Sequence, residues 1–289
     1  MATIYAYTSN NITCTYTMTM TRSGNTVTLT VSGTIKGNGS SSDTTSGQAL
    51  YVQVRTGVSP TNTSGTTTYV SDYGTLLSWA STTTVTGYTG TNSNCMIASN
   101  TTSNNLPPLN ATGFPTSGRA FTVTYTTTNG AAVSLDDVAL FIFKSKTATT
   151  APSNGAYTFI GKKSSSLSGN QIRYVTQDLS VAAATYTISY NKGSNGTGTN
   201  TTDTKTYGVA LTLKGATFTR AGYYQSGWAT SDGGAQAYAL SASYTANAAV
   251  TLYPVWTAYK LTIKFHANGG TLTTGTGETR YRIDSNEIL

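Results

Sequence analysis

An all-β chain is expected from three observations. Threonine makes up roughly a fifth of the 289 residues, and this β-branched residue suits a pleated, half-buried surface far better than a helix. Several segments alternate apolar and polar residues with the period of two that a strand requires, and none shows a sustained helical period. Clusters of Gly, Asn and Ser interrupt the alternating runs where turns need them. The length leaves room for two to three domains, each large enough for its own core.

Residues 13–22 read TCTYTMTMTR and residues 26–35 read TVTLTVSGTI, two alternating runs joined by Ser23-Gly24-Asn25. That combination predicts a hairpin. A polar loop over 40–47 leads to a third strand at 49–56, and further strands are expected near 76–81, 82–88, 120–128 and 138–144. The stretch 90–118, with Leu106-Pro107-Pro108-Leu109 and Phe114-Pro115, reads as irregular. Seven or more strands with long loops predict an N-terminal β-sandwich over 1–146, immunoglobulin-like or jelly roll. Residues 147–154 have linker composition, and Pro152 ends any strand there. The short strand-like pieces that follow, up to 185, either complete the first domain, bridge to the next or pack on a neighbouring subunit.

Residues 186–256 form a self-contained module, and 257–289 begin a second, incomplete copy. Shifting the chain by 75 residues lays Thr187, Ile188 and Tyr190 on Thr262, Ile263 and Phe265. A repeat at that spacing belongs to a unit built to stand in a row. Three strands are expected, at 187–190, 209–213 and 250–256, with Gly222, Gly227 and Asp232-Gly233-Gly234 between them where positive φ is needed. Trp228 and Trp256 are the large apolar anchors. The opening strand, the step Phe218-x-x-x-Gly222-Tyr223, Gly227-Trp228, Asp232-Gly233-Gly234 and the closing Val250-Thr251-Leu252-Tyr253-x-x-Trp256 carry a family likeness. On these residues the module resembles the Listeria/Bacteroides repeat, the β-grasp-like unit of internalin-type B repeats found in bacterial surface proteins and in bacteriophage tail and fibre proteins. The resemblance implies a β-grasp-like fold and says little about activity.

Charged residues are 9% of the chain, and Glu278 is its first glutamate. So few acids are a poor stock for acid/base catalysis, and no enzymatic activity is expected. The net charge of +7 is spread singly along strands, with no basic run longer than Lys162-Lys163. Solvated strand faces guarded against edge pairing explain it, and no specific nucleic acid is expected. Cys14 and Cys95 stand far apart without a CxxC pair and are expected to be separate thiols. No metal site and no cofactor are expected.

Asp136 and Asp137 are adjacent carboxylates, but neighbours on a strand point to opposite faces and cannot flank one bond. Residues 134–143 loosely resemble the last strand of carbohydrate-binding jelly rolls. His266, the only histidine, has no partner fixed by the pattern. The turn GSNGTGTN over 193–200 lacks the GK[ST] ending of a phosphate loop and reads as a strand connection. An internal Lys–Asn isopeptide is disfavoured by the scarcity of acids, Asp178 and Asp203 being those available. Most aromatics must fill the core; Trp79, Tyr69, Tyr73 and Tyr88, near loops, are the candidate glycan contacts.

The N-terminus MATIYAYTSNNITC lacks a charged leader followed by an apolar core, so no secretory signal is expected. No run of about 18 apolar residues predicts a membrane span. A surface-type repeat without a leader fits a bacteriophage virion protein of the tail, fibre or capsid surface, made in the host cytoplasm. Other virion proteins, copies of itself and a host-surface glycan are the expected partners. The alternatives are a bacterial cell-surface adhesin fragment whose leader has been removed and a carbohydrate-binding accessory module.

Overall fold

The computed structural model describes residues 2–6, 12–36, 49–64, 67–72, 74–85, 91–92, 96–99, 118–145, 158–159, 177–261 and 280–281. All regular structure among them is β. The chain divides into two compact units, Met1–Ala183 and Ala184–Leu289.

The first unit contains β1 (Ala2–Ala6), β2 (Ile12–Ser23), β3 (Thr26–Lys36), β4 (Ala49–Thr56), β5 (Ser59–Ser64), β6 (Thr67–Asp72) and β7 (Thr75–Leu76). It continues with β8 (Ala80–Val85), β9 (Thr91–Asn92), β10 (Met96–Ser99), β11 (Arg119–Thr128), β12 (Val133–Ser145), β13 (Thr158–Phe159) and β14 (Gln177–Val181). One sheet runs β1-β2-β3-β11-β8-β9 and the other β10-β4-β12-β13, with β14 also paired to β12 and β7 to β4. Consecutive strands β3 and β4 lie in different sheets, as do β11 and β12, and β3 pairs β11 while β4 pairs β12. The orders β2-β3-β11-β8 and β14-β12-β4 are those of a constant-type immunoglobulin sandwich, A-B-E-D against G-F-C. The choice between immunoglobulin-like and jelly roll therefore falls to the former. Because β14 pairs with β12, residues 177–181 complete this sandwich rather than bridge to the next unit.

The hairpin expected at Ser23-Gly24-Asn25 is present, with Gly24 at φ +54°. Alternation sends Tyr16, Leu29, Val31, Val52, Val123 and Leu140 into one shared core. The opposite face of the first sheet is a lattice of hydroxyls. Across it, Thr17, Ser32, Thr122 and Thr84 form one row, and Thr19, Thr30, Thr124 and Thr82 the next. Ser32 Oγ and Thr122 Oγ1 stand 3.3 Å apart. Such cross-strand pairs contribute about 0.2–1 kcal/mol each, so a chain with few charges keeps a wet, well-paired face through threonine. At one end of the sandwich, Arg22 donates from Nε to Ala182 O at 2.7 Å, and from its terminal nitrogens to Ala131 O at 2.5 Å and to the Asn129 carbonyl. One guanidinium thereby ties β2 to the β11–β12 turn and to the segment after β14.

Gly33 is required by packing rather than by its backbone angle. A Cβ there would stand 2.7 Å from both Phe121 Cζ and Thr15 O. Gly33→Ala is expected to lower the stability of the sandwich by about 1–3 kcal/mol, read as a shift in its denaturant midpoint at constant slope.

Cys14 is a free thiol, fully buried, and burial pushes it up to about 12. Tyr16 is pushed up as well, first by burial and then by Cys14 beside it. The unfolded chain releases these protons at lower pH than the folded one, so stability is full below the unfolded values and falls as pH rises through them. For Cys14 the expected loss begins near pH 9 and proceeds at about 1.4 kcal/mol per pH unit. Cys14→Ala should flatten the stability curve between pH about 9 and about 10, before the tyrosines contribute; an unchanged slope there would contradict the assignment. Cys95 lies outside the described residues.

The second unit comprises β15 (Thr185–Tyr190), β16 (Thr201–Thr206), β17 (Leu211–Thr212), β18 (Tyr223–Ala229), β19 (Tyr238–Ala239), β20 (Ser243–Tyr244), β21 (Val250–Ala258), β22 (Lys260–Leu261) and β23 (Arg280–Tyr281). Its main sheet runs β16-β15-β21-β18-β19, and β15 and β21 are parallel at its centre. The opening and closing strands thus appear where expected. The strand expected at 209–213 shrinks to Leu211–Thr212, because Gly208 turns the chain at φ +72° and leaves Val209 59% exposed. Gly222 and Gly233 adopt positive φ as expected. Gly227 does not: it sits within β18, where a Cβ would meet Gln236 Cδ at 2.5 Å. From the incomplete second copy the structure describes β22 and β23, paired antiparallel; His266 lies outside the described residues.

Candidate functional site

Four strands and two loops of the second unit converge on Trp228, which is fully buried. Its indole meets Tyr190 at 4.9 Å between ring centroids, tilted by 58°, and Phe218 edge-on at 6.0 Å and 82°. Trp228 Nε1 donates to Lys214 O at 2.8 Å, and Lys214 N donates to Tyr190 Oη at 3.2 Å. The same lysine places Nζ 3.1 Å from Asp203 Oδ1 and 5.4 Å above the Tyr190 ring. Burial pushes the Tyr190 phenol up to about 12, an effect opposed by its bond to the Lys214 backbone and reinforced by Asp203. Tyr244 and Leu252 close the same core, and Trp256 packs half-buried at its margin. The second tryptophan is therefore a flank, and three other aromatics complete the centre.

Polar side chains fasten the loops to this core. Gln225 Oε1 accepts from Thr217 N at 2.9 Å and from Phe218 N at 3.1 Å, which sets Phe218 against the indole. Asp232 Oδ2 accepts from Ser194 N at 2.8 Å, and Gly193, at φ +68°, leaves no room for a Cβ beside that carboxylate. The Gly-rich turn thus spends a backbone donor on the protein's own aspartate, in keeping with a strand connection.

With this geometry the comparison with known families is specific. Residues 186–255 match the model of the Listeria-Bacteroides repeat domain. No curated protein matches the chain. The matched repeat contains the buried residues of the Trp228 core, with Trp256 just beyond it, and it begins within β15 and ends within β21.

Of the candidate glycan contacts, the structure describes the side chain of Trp79 and the backbone of Tyr69. Trp79 packs, half-buried, against the sandwich core. Tyr69 stands on β6 opposite Asn62, and Tyr73 and Tyr88 lie outside the described residues. Asp136 and Asp137 fall on a β-bulge, where the pairing of β12 with β14 slips between Leu135 and Val138 and Asp137 turns to φ +48°. The expectation that they alternate across a regular strand is corrected by that bulge. Both are exposed; Asp136 Oδ1 accepts from Ser134 Oγ at 2.9 Å, and Asp178 Oδ1 accepts from Asp137 N at 3.0 Å. Among the described residues no group of three His, Cys, Asp or Glu could hold a metal ion.

Two residues outside the expected set are prominent. Tyr224 of the repeat and Tyr259 just past it are 45% and 53% exposed, with ring centroids 5.6 Å apart and planes tilted by 45°. Their signal in the sequence is positional: Tyr224 sits one step out of phase with the buried Gln225 of β18, and Tyr259 directly follows the end of β21.

Proposed function

We propose that this chain is a non-enzymatic structural and attachment protein of a bacteriophage particle, in the tail, fibre or capsid surface. The observation that supports this reading is a complete Listeria-Bacteroides repeat carried behind a separate immunoglobulin-type sandwich, with the opening of a second copy after it. Each unit closes a core of its own, so each can carry a contact of its own. Asp136, Asp178 and Asp232 hold a bulge and a turn, Lys205 holds a strand end, and Lys214 pairs with Asp203, a use of charge suited to holding shape. Copies of the chain on a symmetric particle would multiply weak contacts through avidity. The test is co-sedimentation with purified particles in a density gradient, followed by labelling with an antibody raised against the sandwich. Signal on the particles is the expected result.

The repeat itself favours a second reading, a bacterial cell-surface adhesin. Recovery from the host wall fraction, with none on particles, would select it and overturn the first.

A further inference from the structure

The sheet of the repeat has one face against the Trp228 core; on the other, Thr204, Thr187, Thr251, Thr257 and Tyr224 are exposed, while Gln236 covers Gly227. On β16, β15 and β21 the strand positions that alternate away from Lys205, Ile188 and Leu252 are threonine, serine, tyrosine and valine, and on β18, up to its bulge, they are Tyr224 and Ser226, with no charged residue among them. At one end of this neutral face stand Tyr224 and Tyr259, which with Val209 are the exposed large hydrophobic residues among those described. Tyr224 lies opposite Thr257 in the β18–β21 register, and Tyr259 N donates to Gly222 O at 3.1 Å. Both rings are therefore held by paired backbone. Thr257 Oγ1 and Ser226 Oγ, 2.9 Å apart, add hydroxyls beside them.

Two aromatic faces set at an angle, with the hydroxyls of Thr257 and Ser226 beside them, match a ligand with apolar C–H faces and hydroxyl edges. The outward strand positions among the described residues offer a polyanion no cation. A protein partner's apolar core finds two rings set among threonines, too little to desolvate well. We propose that the Tyr224–Tyr259 pair is a seat for a neutral, hydroxyl-rich polysaccharide, stacking a pyranose ring on the aromatic faces and bonding its hydroxyls to Thr257 and Ser226. The inference rests on the surface-attachment reading and gives it a ligand class.

The test is affinity electrophoresis of the full chain through gels containing a neutral β-glucan, mannan or galactan, with alginate and hyaluronate as anionic probes. Retardation by at least one neutral polymer is expected. Tyr224→Ala and Tyr259→Ala should each weaken it about tenfold, the double variant should abolish it, and Tyr224→Trp should strengthen it, all with unchanged melting temperatures. Retardation unaltered in the double variant would overturn the seat, as would retardation by the anionic polymers alone or by none. Self-association in sedimentation velocity that disappears in the double variant, without glycan binding, would assign the face to a second copy of the chain and overturn it too. The particle assay stands apart: the chain on particles without neutral-glycan retardation sinks the seat and leaves the attachment reading in place.

Discussion

Trp228→Ala is expected to unfold the repeat while the sandwich stays folded. The substitution removes a fully buried indole, an edge-on contact with Phe218, a tilted contact with Tyr190 and the Nε1 bond to Lys214 O. Truncating a buried Trp costs about 3–5 kcal/mol, and the stranded carbonyl adds about 1 kcal/mol or more. A unit of this size seldom holds more than about 5 kcal/mol from one small core, so the loss is decisive. Differential scanning calorimetry should show the repeat's transition abolished and that of the sandwich at its parental temperature. Trp228→Phe keeps most of the ring contact and should retain a lowered repeat transition. A Trp228→Ala variant whose repeat melts within a few degrees of the parent would refute the account of the core.

Asn247 should matter nearly as much, although it is exposed. Lys205 is 1% exposed, and its Nζ donates to Thr206 O at 3.1 Å and Asn247 Oδ1 at 3.2 Å, with no carboxylate in ion-pair range among the described residues. The same Asn247 oxygen accepts from Gly208 N at 2.9 Å, so it also holds the turn after β16. Asn247→Ala removes an acceptor from a buried cation and from a backbone donor together, an expected loss of about 3 kcal/mol. Asn247→Asp keeps both bonds and supplies the missing countercharge, with an expected gain of about 1 kcal/mol at neutral pH. The sign in pH follows from the pairing. A carboxylate lowered by the lysine contributes above its unfolded value near pH 4 and loses that contribution as pH falls through its lower folded value. Urea denaturation of the three proteins at neutral and acid pH measures this; an Asn247→Asp variant no more stable than the parent at neutral pH would overturn the account.

The β2–β3 hairpin was fully legible in the sequence, because strict alternation on both sides of a Gly-Asn turn leaves one register that buries Tyr16, Met18, Leu29 and Val31 together. The repeat was legible from its glycines, its tryptophans and its closing strand. Strand β16 was hidden: TTDTKT contains no apolar residue, and its inward position is filled by the stem of Lys205, which lines the core as a leucine would. Strands β19 and β20 were hidden for another reason, being two residues each. The bulge at Asp136 and Asp137 could not be read either, since a bulge is a property of two paired strands and β14 lies about 40 residues downstream of them. For the candidate site the order was reversed. Trp79, Tyr69, Tyr73 and Tyr88 were chosen because they stand near loops, yet Trp79 leans on the core. The exposed aromatic pair lies in the other unit, Tyr224 on β18 and Tyr259 directly after β21.

Residue type and spacing alone decide that the chain is β throughout, that it has a sandwich-sized front part, and that a repeat module begins near 186. Those properties follow from local preference and from a period of two, which each segment carries within itself. Which sandwich forms, where β14 belongs, which of the twenty tyrosines stay wet, and how a lysine comes to sit in a core are settled by pairing between segments distant in the chain. A strand acquires an inside and an outside only when a second layer covers one of its faces, and that layer is supplied by residues its own sequence does not contain.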